Sequence, residues 1–127
     1  MNKNIIGLLL LRIGLGGVFL WFGTDKFIHP DIWVNYIPQW FPMLIPVSIF
    51  VLLMGIAETL VGLLILAGFY TRTAAVIAAL MLVPILISLG YNEIGVRDFG
   101  LLLLSLGLAF LGPGGLSIDN KVRGGSI

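Results

Sequence analysis

Four long apolar segments constrain this chain more than any other feature of its sequence. They run over residues 5–23, 46–69, 73–90 and 96–111. Each is close to the roughly 20 residues that a helix needs to cross about 30 Å of hydrocarbon. With 59% hydrophobic residues, 10% charged residues and a mean hydropathy of +1.12, the chain has too little polar surface to cover these segments in water. The sequence therefore predicts an all-α integral membrane protein.

The segments leave no room for a second domain, so residues 1–127 are expected to form a single four-helix transmembrane bundle. Only residues 70–72 separate the second and third segments, which makes them antiparallel neighbours. The connection between the first and second segments is longer and rich in aromatic residues. Its Ile32, Trp33 and Tyr36 recur at helical spacing, which predicts a short helix lying in the membrane interface.

The basic residues that flank the segments predict the orientation in the membrane. Four crossings place both termini on one side of the bilayer, and that side carries more of the basic residues than the other. These are Lys3, Arg72, Lys121 and Arg123, against Lys26 and Arg97 on the opposite side. The positive-inside rule then predicts a multi-pass protein of the cell membrane with cytoplasmic N- and C-termini.

The charge and cysteine content exclude several classes of function. The net charge is +1 and the charges are scattered, so no basic surface is available to follow a phosphate backbone and no nucleic-acid partner is expected. The absence of cysteine excludes disulfides, iron–sulfur clusters and thiolate metal sites within the chain. No catalytic triad or metal-binding spacing is found. We therefore expect no intrinsic catalytic site, no metal and no covalently bound cofactor.

Two charged residues lie deep inside the apolar segments, where each costs roughly 2.5–3.5 kcal/mol on insertion scales unless it has a partner. Arg12 lies near the middle of the first segment and Glu58 near the middle of the second. Each shares a helical face with two glycines, the small residues that mark close helix contacts in membranes. These glycines are Gly16 and Gly23 beside Arg12, and Gly55 and Gly62 beside Glu58. The sequence predicts that these faces pack and that Arg12 and Glu58 form a buried ion pair, which either fixes helix register or lines a ligand cavity.

A second polar cluster is predicted near the non-cytoplasmic ends of the segments. Asp25 and Lys26 follow the first segment, and Arg97 and Asp98 stand at the start of the fourth. Asp98 and Ser105 lie on one helical stripe that is expected to face inward. The cluster is either a set of ordinary boundary charges, with an aspartate near a helix N-terminus, or part of a polar site.

Several short strings, found in order along the chain, resemble the DoxX family of small four-helix membrane proteins. They are Leu11-Arg12-Ile13-Gly14, Gly55-Ile56-Ala57-Glu58, Gly68-Phe69-Tyr70-Thr71-Arg72, Arg97-Asp98 and Gly112-Pro113-Gly114-Gly115. The resemblance implies a four-helix membrane bundle. Members of this family are similar to the membrane subunit of an archaeal thiosulfate:quinone oxidoreductase or are associated with bacterial oxidative-stress complexes. More distant relatives bind sterol-like ligands or act as chaperones.

The leading hypothesis is a membrane subunit or scaffold of a redox complex that binds a lipophilic ligand, such as a quinone, near Arg12 and Glu58. Because the sequence offers no ligands for a redox metal, electrons would have to pass through a bound quinone or a partner redox protein. A lipid-binding or assembly-chaperone protein without a redox role is the main alternative. A small proton-coupled exporter is less favoured, because such exporters need a carboxylate that is free to exchange protons and Glu58 is expected to have an arginine, Arg12, at its own depth. Besides the lipid bilayer, the expected partners are a redox protein and further copies of the chain.

Overall fold

The computed structural model describes residues 2–40, 42, 44–89 and 92–124, and every regular element within these ranges is a helix. In chain order the helices are α1 (Lys3–Ile28), α2 (Pro30–Tyr36), α3 (Val47–Ala67), α4 (Thr71–Leu89), α5 (Glu93–Leu111) and α6 (Ile118–Val122). Helices α1, α3 and α5 are long and apolar enough to cross a membrane, and α4 is a shorter apolar helix. The predictions of an all-α fold and of a membrane protein with several spanning helices are confirmed.

Helix α1 extends beyond the predicted end of the first segment, from Gly23 to Ile28. The polar residues between Gly23 and Pro30, which the predicted segment leaves out, are compatible with the helix. Thr24, for example, donates its hydroxyl to the carbonyl of Leu20 at 2.9 Å within the same helix. Pro30 then begins α2, because proline fits the first turn of a helix, where no amide donor is required.

The turn between α3 and α4 is as short as predicted. Gly68 ends α3 with a φ of +71°, the left-handed conformation that glycine adopts without steric cost. Helix α4 begins at Thr71 and contains Pro84. The predicted end of the third segment at Gly90, and the turn residue Tyr91, lie outside the described residues.

Helices α1 and α3 pack with their backbones in close contact, through the glycine faces that the sequence predicted. A Cβ atom built on Gly62 would lie 2.6 Å from the backbone nitrogen of Leu20, and one built on Gly23 would lie 2.5 Å from that of Thr59. Helices α4 and α5 form a second close pair, and contacts of α3 with α4 and of α1 with α5 join the two pairs. The four long helices therefore surround a common interior.

This interior has two different halves. Near the chain termini it is filled by a cluster of buried apolar side chains that includes Leu15, Ile65, Ala74 and Leu108. We call the opposite half, next to α2, the α2 end. It contains most of the buried charged residues and the cavity described below.

Candidate functional site

Arg12 and Glu58 are both buried, but they do not form an ion pair. The Arg12 guanidinium donates instead to four backbone carbonyls, which belong to the last turn of α3 and to the segment that follows α5. The acceptors are Ile65 (Nε, 3.0 Å), Leu66 (Nη2, 2.8 Å), Pro113 (Nη1, 3.1 Å) and Leu116 (Nη1, 2.6 Å). The last carbonyls of a helix lack partners within it and carry its negative dipole end, so a cation is well placed there. The prediction of an Arg12–Glu58 pair is wrong, and Arg12 joins three parts of the chain.

The register of α1 against α3 explains the error. The glycines contact each other in the pairs Gly16 with Gly62 and Gly23 with Gly55. This antiparallel register places Arg12 level with Leu66, which lies about 12 Å from Glu58 along α3 at about 1.5 Å per residue. The prediction assumed that the middles of the two segments lie at the same depth. In the observed register the first residues of α1 extend past the end of α3 at Ala67, so Arg12 lies beside the last turn of α3.

The segment that follows α5 also caps α4. The Asp119 carboxylate accepts hydrogen bonds from the backbone amides of Tyr70 (2.8 Å) and Thr71 (2.9 Å) at the start of that helix. Burial raises the pKa of Asp119, but the hydrogen bonds from Thr71 and Tyr70 together outweigh it, so the pKa lies below its ordinary value. Arg12 and Asp119 thus hold the segment that follows α5 against the turn between α3 and α4.

Glu58 pairs with Lys26, which the sequence had assigned to the second cluster. Lys26 Nζ lies 2.9 Å from Glu58 Oε2, and the two side chains are 9% and 6% accessible. The ammonium also lies 3.9 Å from the centroid of the Trp33 ring, within the range of a cation–π interaction. The carboxylate in the middle of α3 therefore has a cationic partner that comes from the last turn of α1.

Asp25 fixes the junction between α1 and α2. Its Oδ1 lies 2.9 Å from His29 Nδ1, and its Oδ2 accepts a hydrogen bond of 2.9 Å from the indole of Trp33. The sequence predicted that Trp33 lies on an interfacial helix, and it predicted no specific contact for this residue. In the structure this ring is held by Asp25 and covers the ammonium of Lys26.

Arg97 and Asp98 contact each other near the start of α5. Arg97 Nη2 lies 3.2 Å from Asp98 Oδ1, and the guanidinium carbon lies 4.7 Å from the centroid of the Phe22 ring. Asp98 is buried, whereas 47% of the Arg97 side chain is accessible. Ser105 is also buried, as its stripe predicted, but its hydroxyl donates to the carbonyl of Leu101 in its own helix at 2.8 Å. The hydroxyl of Ser105 is therefore used within α5.

A cavity of about 630 Å³ lies among these side chains at the α2 end. One part of its wall is charged and consists of Asp25, Lys26, Glu58, Arg97 and Asp98. The rest is apolar and includes Trp21, Phe22, Trp33, Met54, Met81 and Leu101. Arg12 and Ser105 are not among the lining residues. The volume and the combination of an apolar wall with a few polar groups are typical of small-molecule sites.

The apolar wall was missed because its residues carry no motif. Met54, Met81 and Leu101 come from three different helices, and only the packing of those helices brings them together. The contact between Lys26 and Glu58 could have been predicted from the spacing of these residues relative to the glycines. Lys26 follows Gly23 by one helical turn, as Glu58 follows Gly55, so both charges lie on the glycine faces that pack.

Among the described residues, no group of three or more histidine, aspartate or glutamate side chains is placed to hold a metal ion. In a comparison with known protein families, residues 7–90, more than half of the chain, match the model of the DoxX family. No curated protein and no solved structure matches the chain. The matched region contains both Lys26 and Glu58.

Proposed function

Because this chain belongs to the DoxX family, we propose that it is a membrane protein whose cavity at the α2 end binds a lipophilic ligand such as a quinone. The observation that carries the proposal is the cavity itself, which combines an aromatic and aliphatic wall with a cluster of charged groups. The ligand site predicted near Arg12 and Glu58 is thereby moved to Glu58 and Lys26. Arg12 has a different role, since it holds the segment that follows α5 against α3.

The chemistry of the wall favours a neutral amphipathic ligand. Its two cations, Lys26 and Arg97, are outnumbered by three carboxylates, so a bound anion would gain little. The rings of Phe22 and Trp33 pack edge to face, with centroids 5.5 Å apart, and present an aromatic surface to the cavity. A quinone fits this arrangement, because its ring can lie against the aromatic residues while its carbonyl oxygens reach a hydrogen-bond donor.

The role that we propose is that of a membrane subunit or scaffold in a redox complex. The sequence supplies no cysteine, and a bound quinone would exchange electrons with a partner redox protein. Binding of a lipid without any redox role is the alternative that the same cavity supports. A proton-coupled exporter is less well supported, since the Glu58 carboxylate is held by Lys26 at 2.9 Å.

We further propose that all four long helices cross the bilayer and that both termini lie in the cytoplasm. Helix α4 has 19 residues and is about 28 Å long at about 1.5 Å per residue, close to the thickness of the hydrocarbon core. In this arrangement α2 lies in the membrane interface on the opposite side. Its exposed Ile32 and Tyr36 support this placement, because both are suited to the boundary between lipid and water.

Two neighbouring substitutions on α3 test the proposed ligand site. Met54 lines the cavity, whereas Leu53 does not line it and is 52% accessible. Met54→Trp should fill part of the cavity and weaken binding of decylbenzoquinone at least about tenfold, which corresponds to about 1.4 kcal/mol. Leu53→Trp adds the same bulk outside the cavity and should bind as the unmodified protein does.

Binding is measured on protein in lipid nanodiscs, by mass spectrometry of the quinone retained at a series of concentrations. Thermal unfolding of both variants checks that they are folded. Absence of quinone binding to the unmodified protein, or equal binding to the two tryptophan variants, would contradict the proposal.

A further inference from the structure

We propose that Arg97 determines the specificity of this cavity by selecting ligands that present a hydrogen-bond acceptor, such as a quinone carbonyl, over hydrocarbons of the same shape. The inference rests on the proposed function, because it concerns the same cavity. Arg97 would donate a hydrogen bond to the polar part of the ligand.

The two cations of the cavity wall differ in how their donors are used. The Lys26 ammonium is bonded to Glu58, lies against Trp33, and belongs to a side chain that is only 9% accessible. The Arg97 side chain is 47% accessible and contacts Asp98 through Nε and Nη2, both at 3.2 Å from the same oxygen, Oδ1. A guanidinium carries five N–H donors, so this arrangement leaves donors available to a ligand.

Arg97 is also held in position before a ligand arrives. Its planar group lies over the Phe22 ring, with 4.7 Å between the guanidinium carbon and the ring centroid, and it is anchored by the buried carboxylate of Asp98. A donor that is already oriented loses little conformational entropy when it forms a hydrogen bond. Because Phe22 lines the same cavity, a ligand ring placed against this aromatic side chain would bring its oxygen close to Arg97.

Two probes with the same decyl chain and a six-membered ring of the same size test this contribution. Decylbenzoquinone presents two carbonyl oxygens and decylbenzene presents none, so the change in their affinity ratio when Arg97 is substituted reports the recognition of an acceptor by this residue. A hydrogen bond to a charged group typically contributes enough to change affinity by about tenfold to a hundredfold. We therefore expect the unmodified protein to prefer decylbenzoquinone by at least about tenfold.

Arg97→Gln should reduce the preference for decylbenzoquinone to no more than about threefold. A threefold preference corresponds to less than half of about 1.4 kcal/mol, the free energy of a tenfold preference. The affinity of this variant for decylbenzene should be unchanged, and this shows that the cavity of the variant is intact. Arg97→Lys keeps a charge but loses the planar set of donors, and should give an intermediate preference. Arg72→Gln, at the other end of the molecule and not among the lining residues, serves as the control and should keep the full preference.

The outcomes separate this inference from the proposed function. An undiminished preference in both Arg97→Gln and Arg97→Lys would overturn the assignment of Arg97 while leaving the cavity as a quinone site. Equal binding of the two probes to the unmodified protein would overturn it as well. Absence of decylbenzoquinone binding to the unmodified protein would overturn the proposed function and the inference together.

Discussion

The ammonium of Lys26 compensates the unfavourable free energy of burying the Glu58 carboxylate between the helices. Lys26→Met leaves that carboxylate buried without a cation, and it should destabilise the protein by about 3–5 kcal/mol. The double variant Lys26→Met with Glu58→Leu should recover much of this loss, because a buried pair can be replaced by apolar side chains at little cost. Denaturant unfolding in detergent micelles measures these differences.

The control for this comparison of single and double variants is the pair that the sequence predicted, Arg12 and Glu58. Arg12 and Glu58 share no hydrogen-bond partner, and Arg12 lies level with Leu66. The effects of Arg12→Leu and Glu58→Leu should therefore add to within about 0.5 kcal/mol. Coupling between Arg12 and Glu58, or its absence between Lys26 and Glu58, would contradict the observed register.

Asp119 gives the stability of the protein a defined dependence on pH. The pKa of its carboxyl is lower in the folded protein than its unfolded value of about 3.9, so its ionised form stabilises the fold above that value. The contribution is lost as the pH falls through the folded pKa. The difference in unfolding midpoint between the unmodified protein and Asp119→Asn should thus be constant above about pH 5 and shrink below about pH 4. A difference that is independent of pH, or that grows in acid, would contradict the capping role of Asp119.

The burial of Arg12 and Glu58 could be predicted from the sequence, but their partners could not. The acceptors of Arg12 are backbone carbonyls at the end of α3 and in the segment after α5, and only the packing of these parts shows that Arg12 reaches them. Lys26 was assigned to a boundary because the polar residues around it suggested the end of a helix. The helix continues there to Ile28, and the hydroxyl of Thr24 bonds to the carbonyl of Leu20 within it.

At the level of elements, the contact between α1 and α3 depends on particular glycines. A Cβ on Gly23 would lie 2.5 Å from the backbone nitrogen of Thr59, so Gly23→Ala forces the two helices apart and should cost about 1–3 kcal/mol. Gly14 lies on the same helix with nothing within 4 Å of its added Cβ. Gly14→Ala should leave stability unchanged or raise it by up to about 1 kcal/mol, because alanine is the better helix former. Equal unfolding midpoints for the two variants in detergent would show that the backbones do not approach as described.

The glycine faces of α1 and α3 were predictable because small residues at helical spacing have few other uses in an apolar helix. The bounds of the helices were less predictable. Helix α1 ends five residues later than predicted, at Ile28, and only His29 separates it from α2, which begins at Pro30. Side-chain hydrogen bonds of Thr24 and Asp25 lie at these places, and their geometry is not captured by hydropathy.

For the whole molecule, the proposed orientation gives a prediction of topology. Four crossings place the C-terminus in the cytoplasm and the region around Asn35 on the other side of the membrane. A phosphatase reporter, which is active only outside the cytoplasm, should be active when inserted near Asn35 and inactive at the C-terminus. Activity at both sites would contradict the number of crossings, and the reverse pattern would contradict the orientation.

The cavity belongs to the whole molecule, because its wall draws on α1, α2, α3, α4 and α5. The sequence pointed to several of its charged residues individually. It could not show that they share one space, since that depends on the relative depth of helices that are distant in sequence. The fold class follows from hydropathy alone, whereas the site follows only from the packing of the helices.

Photoaffinity labelling tests the central claim, a ligand site in this cavity, most directly. The protein in nanodiscs is irradiated with a quinone that carries a photoreactive azide on its ring, and the labelled residues are identified by mass spectrometry. Labels should concentrate on cavity residues such as Phe22, Met54 and Leu101 and should be competed by unlabelled decylbenzoquinone. Labels confined to lipid-facing residues such as Leu53 and Leu103, or labels that no excess of competitor reduces, would contradict the claim.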